Sequence, residues 1–237
     1  MIVCFTVDLE PDCPPYLSGW RGLEEGTPRL LALLEREQVP ATFFSTGEAA
    51  RRFPERIEAI VAAGHELGSH GQTHGPFAAM TPAQAREEIR TSAEVLRAFA
   101  PVVSFRAPFL RFPDAYRNIL VEEGFLLDSS DARYKLDWYR TRDLPGALLR
   151  VPASVTSSVL RLPAAVRDPW LLGLSSPRVL FVHPWEFVDL RRERLRLDCR
   201  FRTGEPAAQA VSAALRLLRR HGASFCRMKD LLVSART

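Results

Sequence analysis

Gly64-His65-Glu66-Leu67-Gly68-Ser69-His70-Gly71-Gln72-Thr73-His74-Gly75-Pro76-Phe77 holds three of the five histidines in the chain. It follows the apolar run Ile60 to Ala63, and His65 to Ser69 reads as a short strand that delivers His70 at its end. His70 and His74 stand four apart, but Gly68, Gly71 and Gly75 favour a tight, irregular backbone over a mid-helix H-x-x-x-H. Neutral imidazoles are the commonest protein ligands for zinc and similar ions, and a close pair can hold one ion between them. Two histidines need a third, anionic ligand and leave positions open for water, the pattern of a catalytic rather than a structural metal. The spacing alone is weak, because histidines also decorate Gly-rich surface loops. Whether an acid reaches the same place depends on the rest of the chain.

Acids do gather at the end of another apolar run. Ile2 to Val7 suits a strand buried on both faces, and it leads into Asp8-Leu9-Glu10-Pro11-Asp12. In an extended segment Asp8 and Glu10 project to the same side. Three carboxylates within these five residues repel one another unless a cation or a proton neutralises them, which fits a metal site; a solvated acidic turn is the alternative. Residues 13 to 27 read as a loop over that site. A helix is predicted over Pro28 to Glu37, a strand over Ala41 to Thr46 and a helix over Pro54 to Ala63. Thr81 then caps a helix with Pro82 at its first position.

The same strand-then-functional-residue pattern recurs. Val102 to Phe109 reads as a strand carrying Arg106, whose planar fork can hold a carboxylate by a two-pronged hydrogen bond. Gly124 to Asp131 reads as a strand ending in acids, after a helix over 114 to 123. Within the proline-rich stretch 132 to 177 only Leu148 to Val155 reads as a strand. Arg178 to Glu186 supplies an apolar strand leading to His183; Pro206 to Arg220 is a long amphipathic helix, Ser224 to Cys226 a last strand and Met228 to Leu232 a closing turn. This alternation predicts an α/β fold with a parallel sheet closed as an irregular barrel, its chemistry at the C-terminal ends of the strands.

With 237 residues, 46% of them hydrophobic, and neither linker nor repeat, the sequence is expected to form one domain over 1–237. It has no apolar run long enough for a membrane-spanning helix, and its first residues read as a strand rather than a signal peptide, so a cytoplasmic protein is expected. Cys4, Cys13, Cys199 and Cys226 form no C-x-x-C pair and are expected to be reduced thiols, with a thiolate ligand at Cys13 the minor alternative. The net charge of +4 permits attraction to phosphates or an anionic membrane surface. Its densest basic run, Arg191-Arg192-Glu193-Arg194-Leu195-Arg196, lacks interleaved aromatics, and no nucleic-acid motif is present. It reads as a solvated face, with a phosphate-bearing substrate as the sharper alternative.

Taken together, these motifs resemble those of the polysaccharide deacetylases of the NodB-homology type, carbohydrate esterase family four, over residues 1 to about 190. Thr6-Val7-Asp8-Leu9-Glu10 resembles the family's acidic motif, Gly68 to His74 its two-histidine metal motif, Phe105-Arg106-Ala107-Pro108 its Arg-x-Pro motif, and Leu180-Phe181-Val182-His183 its closing motif. The resemblance implies a distorted (β/α)7-type barrel and a carbohydrate N-deacetylase that removes acetyl or formyl from an amino sugar. It further implies a divalent metal, zinc by preference, with Asp8 as general base, Arg106 orienting it and His183 as general acid. Arg21 to Leu31 is also similar to enzymes acting on lipid-linked amino sugars, which leaves a lipid-linked substrate and peripheral membrane contact open.

Three departures from the family matter. Leu9 replaces the second aspartate of the acidic motif, so the anionic ligand beside His70 and His74 is Glu10 or Asp12. Phe109 replaces a common tyrosine, leaving only its backbone N–H for an oxyanion. The usual Asp-x-x-Asp-Trp motif is absent, so Asp128, Asp131 or the Asp137-Trp138 pair is the expected partner of His183. The rival readings are a metal-free cyclic-amide hydrolase and a non-catalytic carbohydrate- or phosphate-binding module; Asp8 and His183 argue against the latter.

Overall fold

The computed structural model describes residues 1–135 and 148–234. The Asp137-Trp138 candidate lies outside them. Eight strands form one sheet, β1 (Ile2–Leu9), β2 (Ala41–Ser45), β3 (Glu66–Ser69), β4 (Ser104–Phe105), β5 (Leu127–Asp128), β6 (Leu149–Arg150), β7 (Arg178–Val182) and β8 (Ser224–Phe225). Their order is β6-β5-β4-β3-β2-β1-β7, with β8 paired to the start of β1, and every pairing is parallel. Helices surround the sheet: α1 (Thr27–Glu37), α2 (Gly47–Arg52), α3 (Pro54–Ala62), α4 (Pro82–Arg97), α5 (Arg117–Glu122), α6 (Ala164–Gly173), α7 (Leu197–Arg200) and α8 (Glu205–Arg220). The sheet curls into the half-barrel of a (β/α)7 fold, and the chain beyond β6 reaches back to β7 where Ser154 N–H donates to the Val179 carbonyl at 2.8 Å.

β1 is the axis because every residue from Val3 to Leu9 is buried, as a central parallel strand covered on both faces requires. Leu30, Leu33 and Leu34 of α1 recur at helical spacing and pack into the same core as Phe5, Val7 and Phe43. The Thr81 cap of α4 is part of a full capping box with Gln84.

The expected strands at 102–109 and 148–155 shrink to two residues each. Arg106 N–H still donates to the Ser69 carbonyl at 2.9 Å, but Pro108 has no N–H to extend the ladder. Elements without a counterpart in the expectation include α2, capped by Thr46 Oγ1 on Ala49 N–H, α6, α7, and a π-helical turn at Gly22–Gly26 within the expected loop. Gly26 permits that turn, since a Cβ there would collide with the Pro184 carbonyl.

Register places the chemistry. Leu9 pairs with Ser45, Ser45 with Ser69, Ser69 with Phe105, and Val7 with Val182. Residues 10, 70, 106 and 183 therefore leave the sheet at one rim, at the C-terminal ends of the strands. Among the described residues no helix is long and apolar enough to cross a membrane.

Candidate metal centre and active site

At that rim Glu10 Oε2 lies 3.5 Å from His70 Nε2 and 2.6 Å from His74 Nε2, with all three side chains buried. One ligand atom from each falls within 4.8 Å of the others. His70 Nδ1 sits 2.7 Å from the Arg106 carbonyl oxygen, which can only accept, so Nδ1 carries the hydrogen and Nε2 turns its lone pair to the cluster. Neither Nε2 has a hydrogen-bond partner of proper geometry. Two orphaned buried nitrogens would cost about 1–3 kcal/mol each, and two imidazoles with a carboxylate are the donor set that a divalent ion takes. The residues fit a metal. Backbone conformation aims them: Gly71 has φ +80°, and His74 is held at φ 64°, a left-handed conformation unusual for a side-chain-bearing residue. Burial would raise the Glu10 carboxyl, yet the positive field of His183 and His74 outweighs it and holds Glu10 well below the usual carboxylate range.

Asp12, the other candidate acid, does not join this group. Its Oδ1 accepts from Gly22 N–H at 2.8 Å and its Oδ2 from Arg21 N–H at 2.9 Å, so both oxygens order the start of the 22–26 turn. Cys13 lines the cavity described below, outside the Glu10–His70–His74 group.

On one flank of the cluster stands Asp8, whose Oδ1 accepts from Arg106 Nη1 at 2.7 Å. The expected two-pronged contact is instead divided. Nη1 also reaches Thr6 Oγ1 at 2.7 Å, Nη2 donates to Ser129 Oγ at 3.0 Å, and the guanidinium lies 4.3 Å over the Phe44 ring. Arg106 is fully buried, so its charge is answered by Asp8 and by these dipoles.

On the other flank His183 Nε2 lies 3.6 Å from Glu10 Oε1, and its ring stacks on Trp185 at 4.8 Å. Trp185 Nε1 in turn donates to Glu10 Oε1 at 3.3 Å. The expected partners of His183 are elsewhere: Asp128 binds Arg117 and Ser130, and Asp131 binds Arg117 and Arg150. Burial raises the Asp128 carboxyl and Arg117 opposes it, as befits a structural pair. The partner is Glu186, whose Oε1 lies 2.8 Å from His183 Nδ1 and whose Oε2 lies 2.7 Å from Arg161 Nε. Glu186 was legible as an acid three residues after His183 with Pro184 between, the spacing of a capped turn. Burial would lower the His183 imidazole, but Glu10, Glu186 and Asp8 outweigh it and push it up to about 9. These groups share a cavity of about 210 Å³, with Phe109 and Tyr134 exposed at its mouth.

A sequence model of the polysaccharide deacetylases matches residues 3–126, just over half of the chain. The chain belongs to the polysaccharide deacetylase family. Among its relatives, a peptidoglycan deacetylase of Helicobacter pylori is 38% identical over 125 residues, covering 50% of this chain and 42% of that protein. A chitooligosaccharide deacetylase of a Bradyrhizobium species is 36% identical over 86 residues, covering 35% and 39%. The chain thus matches less than half the length of these curated relatives. A solved structure of a putative polysaccharide deacetylase from Mycobacterium smegmatis superposes with a TM-score of 0.69 at 23% identity, covering 99% of this chain and 90% of that one. A family 4 carbohydrate esterase from Streptomyces lividans gives 0.64 at 18%, covering 94% and 90%. The family and these neighbours share the (β/α)7 fold found here.

Proposed function

We propose that this member of the family is a metal-dependent amide hydrolase that removes an N-acetyl, or N-formyl, group from an amino sugar in a glycan or lipid-linked glycan precursor. The observation that carries the reading is the buried Glu10–His70–His74 group with two unpartnered Nε2 atoms, set between an arginine-held carboxylate and an acid-held imidazole. Its relatives' names as peptidoglycan and chitooligosaccharide deacetylases support the substrate class. Glu10, His70 and His74 would hold the ion, and their two nitrogens and one carboxylate suit zinc. When bound, a divalent cation supplies Lewis acidity, polarising the amide carbonyl and making water more acidic.

The chain's own residues supply the proton chemistry. Asp8, fixed by Arg106, takes a proton from the attacking water as the C–O bond forms. The Phe109 N–H, in a backbone held at φ 61°, is a candidate donor to the oxygen that gains charge. His183 gives its Nε2 proton to the amide nitrogen as the C–N bond breaks, since an amine anion leaves too poorly unaided, and Glu186 keeps Nδ1 protonated throughout. The products are acetate, or formate, and a free amine. Metal analysis of the purified protein, together with amine release from N-acetyl and N-formyl glycans with and without added zinc, tests this. Full turnover in rigorously metal-free protein, or none on any amino sugar, would sink it.

A further inference from the structure

The four cysteines are scattered in the sequence, yet the fold brings the first and the last of them together. Cys4 lies in β1 and Cys226 just after β8, 222 positions apart, and their Sγ atoms are 3.5 Å from each other. Register explains the meeting: Ile2 pairs with Ser224 and Val3 with Phe225, so the next step sets Cys4 beside Cys226, whose N–H donates to the Val3 carbonyl at 3.1 Å. Partners in a parallel pair turn their side chains to the same face of the sheet. Both thiols accordingly pack in one apolar cluster with Phe44, Val179 and Met228. Neighbouring strands run about 4.8 Å apart, inside the roughly 4.4–6.8 Å between Cα atoms that a disulfide spans. Bringing the sulfurs to a bond of about 2.05 Å is within the reach of side-chain rotation.

The two thiols are not equivalent. Cys4 is fully buried, whereas Cys226 is only half-buried. With Cys4 donating, the hydrogen bond between them holds the Cys226 thiol below its usual value and pushes Cys4 up, and burial pushes Cys4 further the same way. Cys226 is thus the sulfur that meets an oxidant, and Cys4 the one that follows. Among the described residues Glu10, His70 and His74 are the side chains grouped as metal ligands, so the two sulfurs have no further ligands beside them. The chain beyond β8 is held under the sheet where Met228 N–H donates to Thr42 Oγ1 at 2.8 Å and Lys229 N–H to Glu66 Oε2 at 2.9 Å. That place is at the start of β1, away from the rim that carries Asp8 and Glu10.

We infer that Cys4 and Cys226 are a disulfide-forming pair, a covalent clasp that a disulfide oxidant closes between β1 and the C-terminal segment. The Cys226 thiolate attacks one sulfur of the oxidant, whose S–S bond breaks and releases the first thiolate. Cys4 then attacks Cys226 Sγ, its proton passing to the second departing thiolate. Two electrons have moved from the pair to the oxidant, which leaves as two thiols. The clasp closes a loop that holds every residue of the candidate site, so it constrains the unfolded chain while leaving the rim unchanged.

The full chain, purified with reductant and then freed of it, is exposed to glutathione disulfide, quenched in acid, denatured, alkylated and mapped by mass spectrometry without reduction. The expected product is a cross-linked peptide pair holding Cys4 and Cys226, with two hydrogens lost and no glutathione retained. Its melting temperature is expected to rise by roughly 5–10 °C and to return on reduction. Cys4→Ser protein is expected to keep one glutathione on Cys226, and Cys226→Ser protein to keep none on the buried Cys4, which separates the attacking thiol from the resolving one. The inference is overturned if folded wild-type protein leaves both thiols open to alkylation, if glutathione stays on Cys226 in the presence of Cys4, or if the link forms through Cys13 or Cys199 instead.

Discussion

Arg106 is fully buried, and Asp8 is the carboxylate that answers its charge, with Nη1 to Oδ1 at 2.7 Å between two strands that are not neighbours in the sheet. The pair spans β1 and β4 across the mouth of the half-barrel, so it fixes both the shape of the rim and the direction of Asp8. Replacing Arg106 by lysine keeps the charge but removes the donors to Thr6 and Ser129 and the contact with Phe44. Arg106→Lys is expected to lose roughly 3 kcal/mol of stability and at least about 100-fold in turnover. Thermal melts and steady-state rates check both, and wild-type turnover would deny Arg106 its orienting role.

Glu10 and Asp12 separate cleanly. Glu10→Ala is expected to abolish stoichiometric metal binding, because it removes the one carboxylate of the Glu10–His70–His74 group. Asp12→Ala is expected to retain the ion, yet to lose about 1–2 kcal/mol of stability, since two N–H groups at the start of the 22–26 turn lose their acceptor. Metal content by mass spectrometry and denaturant melts on the two variants distinguish ligand from cap. Loss of metal in Asp12→Ala alone would reverse the assignment.

Far from the site, Glu37 at the end of α1 joins Arg216 and Ser212 of α8. The hydrogen bonds from Arg216, opposed by burial and joined by those from Ser212 and Arg36, lower its carboxyl from 4.5 to about 2. A carboxyl depressed in the folded state stabilises it above the unfolded value and ceases to do so as pH falls through the folded value. The melting-temperature gap between wild type and Glu37→Gln is therefore expected to be full at neutral pH and to close between about pH 4.5 and 2. A gap independent of pH would mean that packing, not charge, joins these helices.

Legibility in the sequence followed length and local geometry. β1 and β7 announce themselves as apolar runs ending in Asp8 and His183, and the period of two puts Asp8 and Glu10 on one side. β4, β5 and β6 have two residues each, too few for periodicity to register, and are held by side chains such as Ser104 Oγ on Glu66 and Ser130 Oγ under the Ala107 N–H. α6 lies hidden in a proline-rich stretch with Pro169 inside it. With no recognisable Asp-x-x-Asp-Trp motif, the sequence leaves only distant acids, Asp128, Asp131 or the Asp137-Trp138 pair, as partners for His183; Asp128 and Asp131 are taken by Arg117, and the chain supplies Glu186 locally instead. Which of two equally placed acids is free depends on where cations are buried, and that is not a local property of the sequence.

Glu186 also sets the working range of His183. As the proposed proton donor, His183 must be protonated, and with its imidazole pushed up to about 9 it is so at neutral pH; activity should therefore fall as pH rises through an alkaline limb. Burial acts against the charge, and Glu10 and then Glu186 restore it, so a cation resting on Glu10 cancels part of that support and places the limb of the metal-loaded enzyme below 9. Removing the charge of Glu186 takes away the next contribution. Glu186→Gln is accordingly expected to keep its metal, to lose roughly 10- to 100-fold in kcat/KM at pH 8, and to shift the alkaline limb to lower pH, with a smaller deficit at pH 6. His183→Ala should be slow at every pH and show no such limb. The pH profile of kcat/KM for the three proteins decides: an unmoved limb in Glu186→Gln would leave Glu186 as packing beneath Arg161, and a limb that survives in His183→Ala would assign the titrating acid to another group.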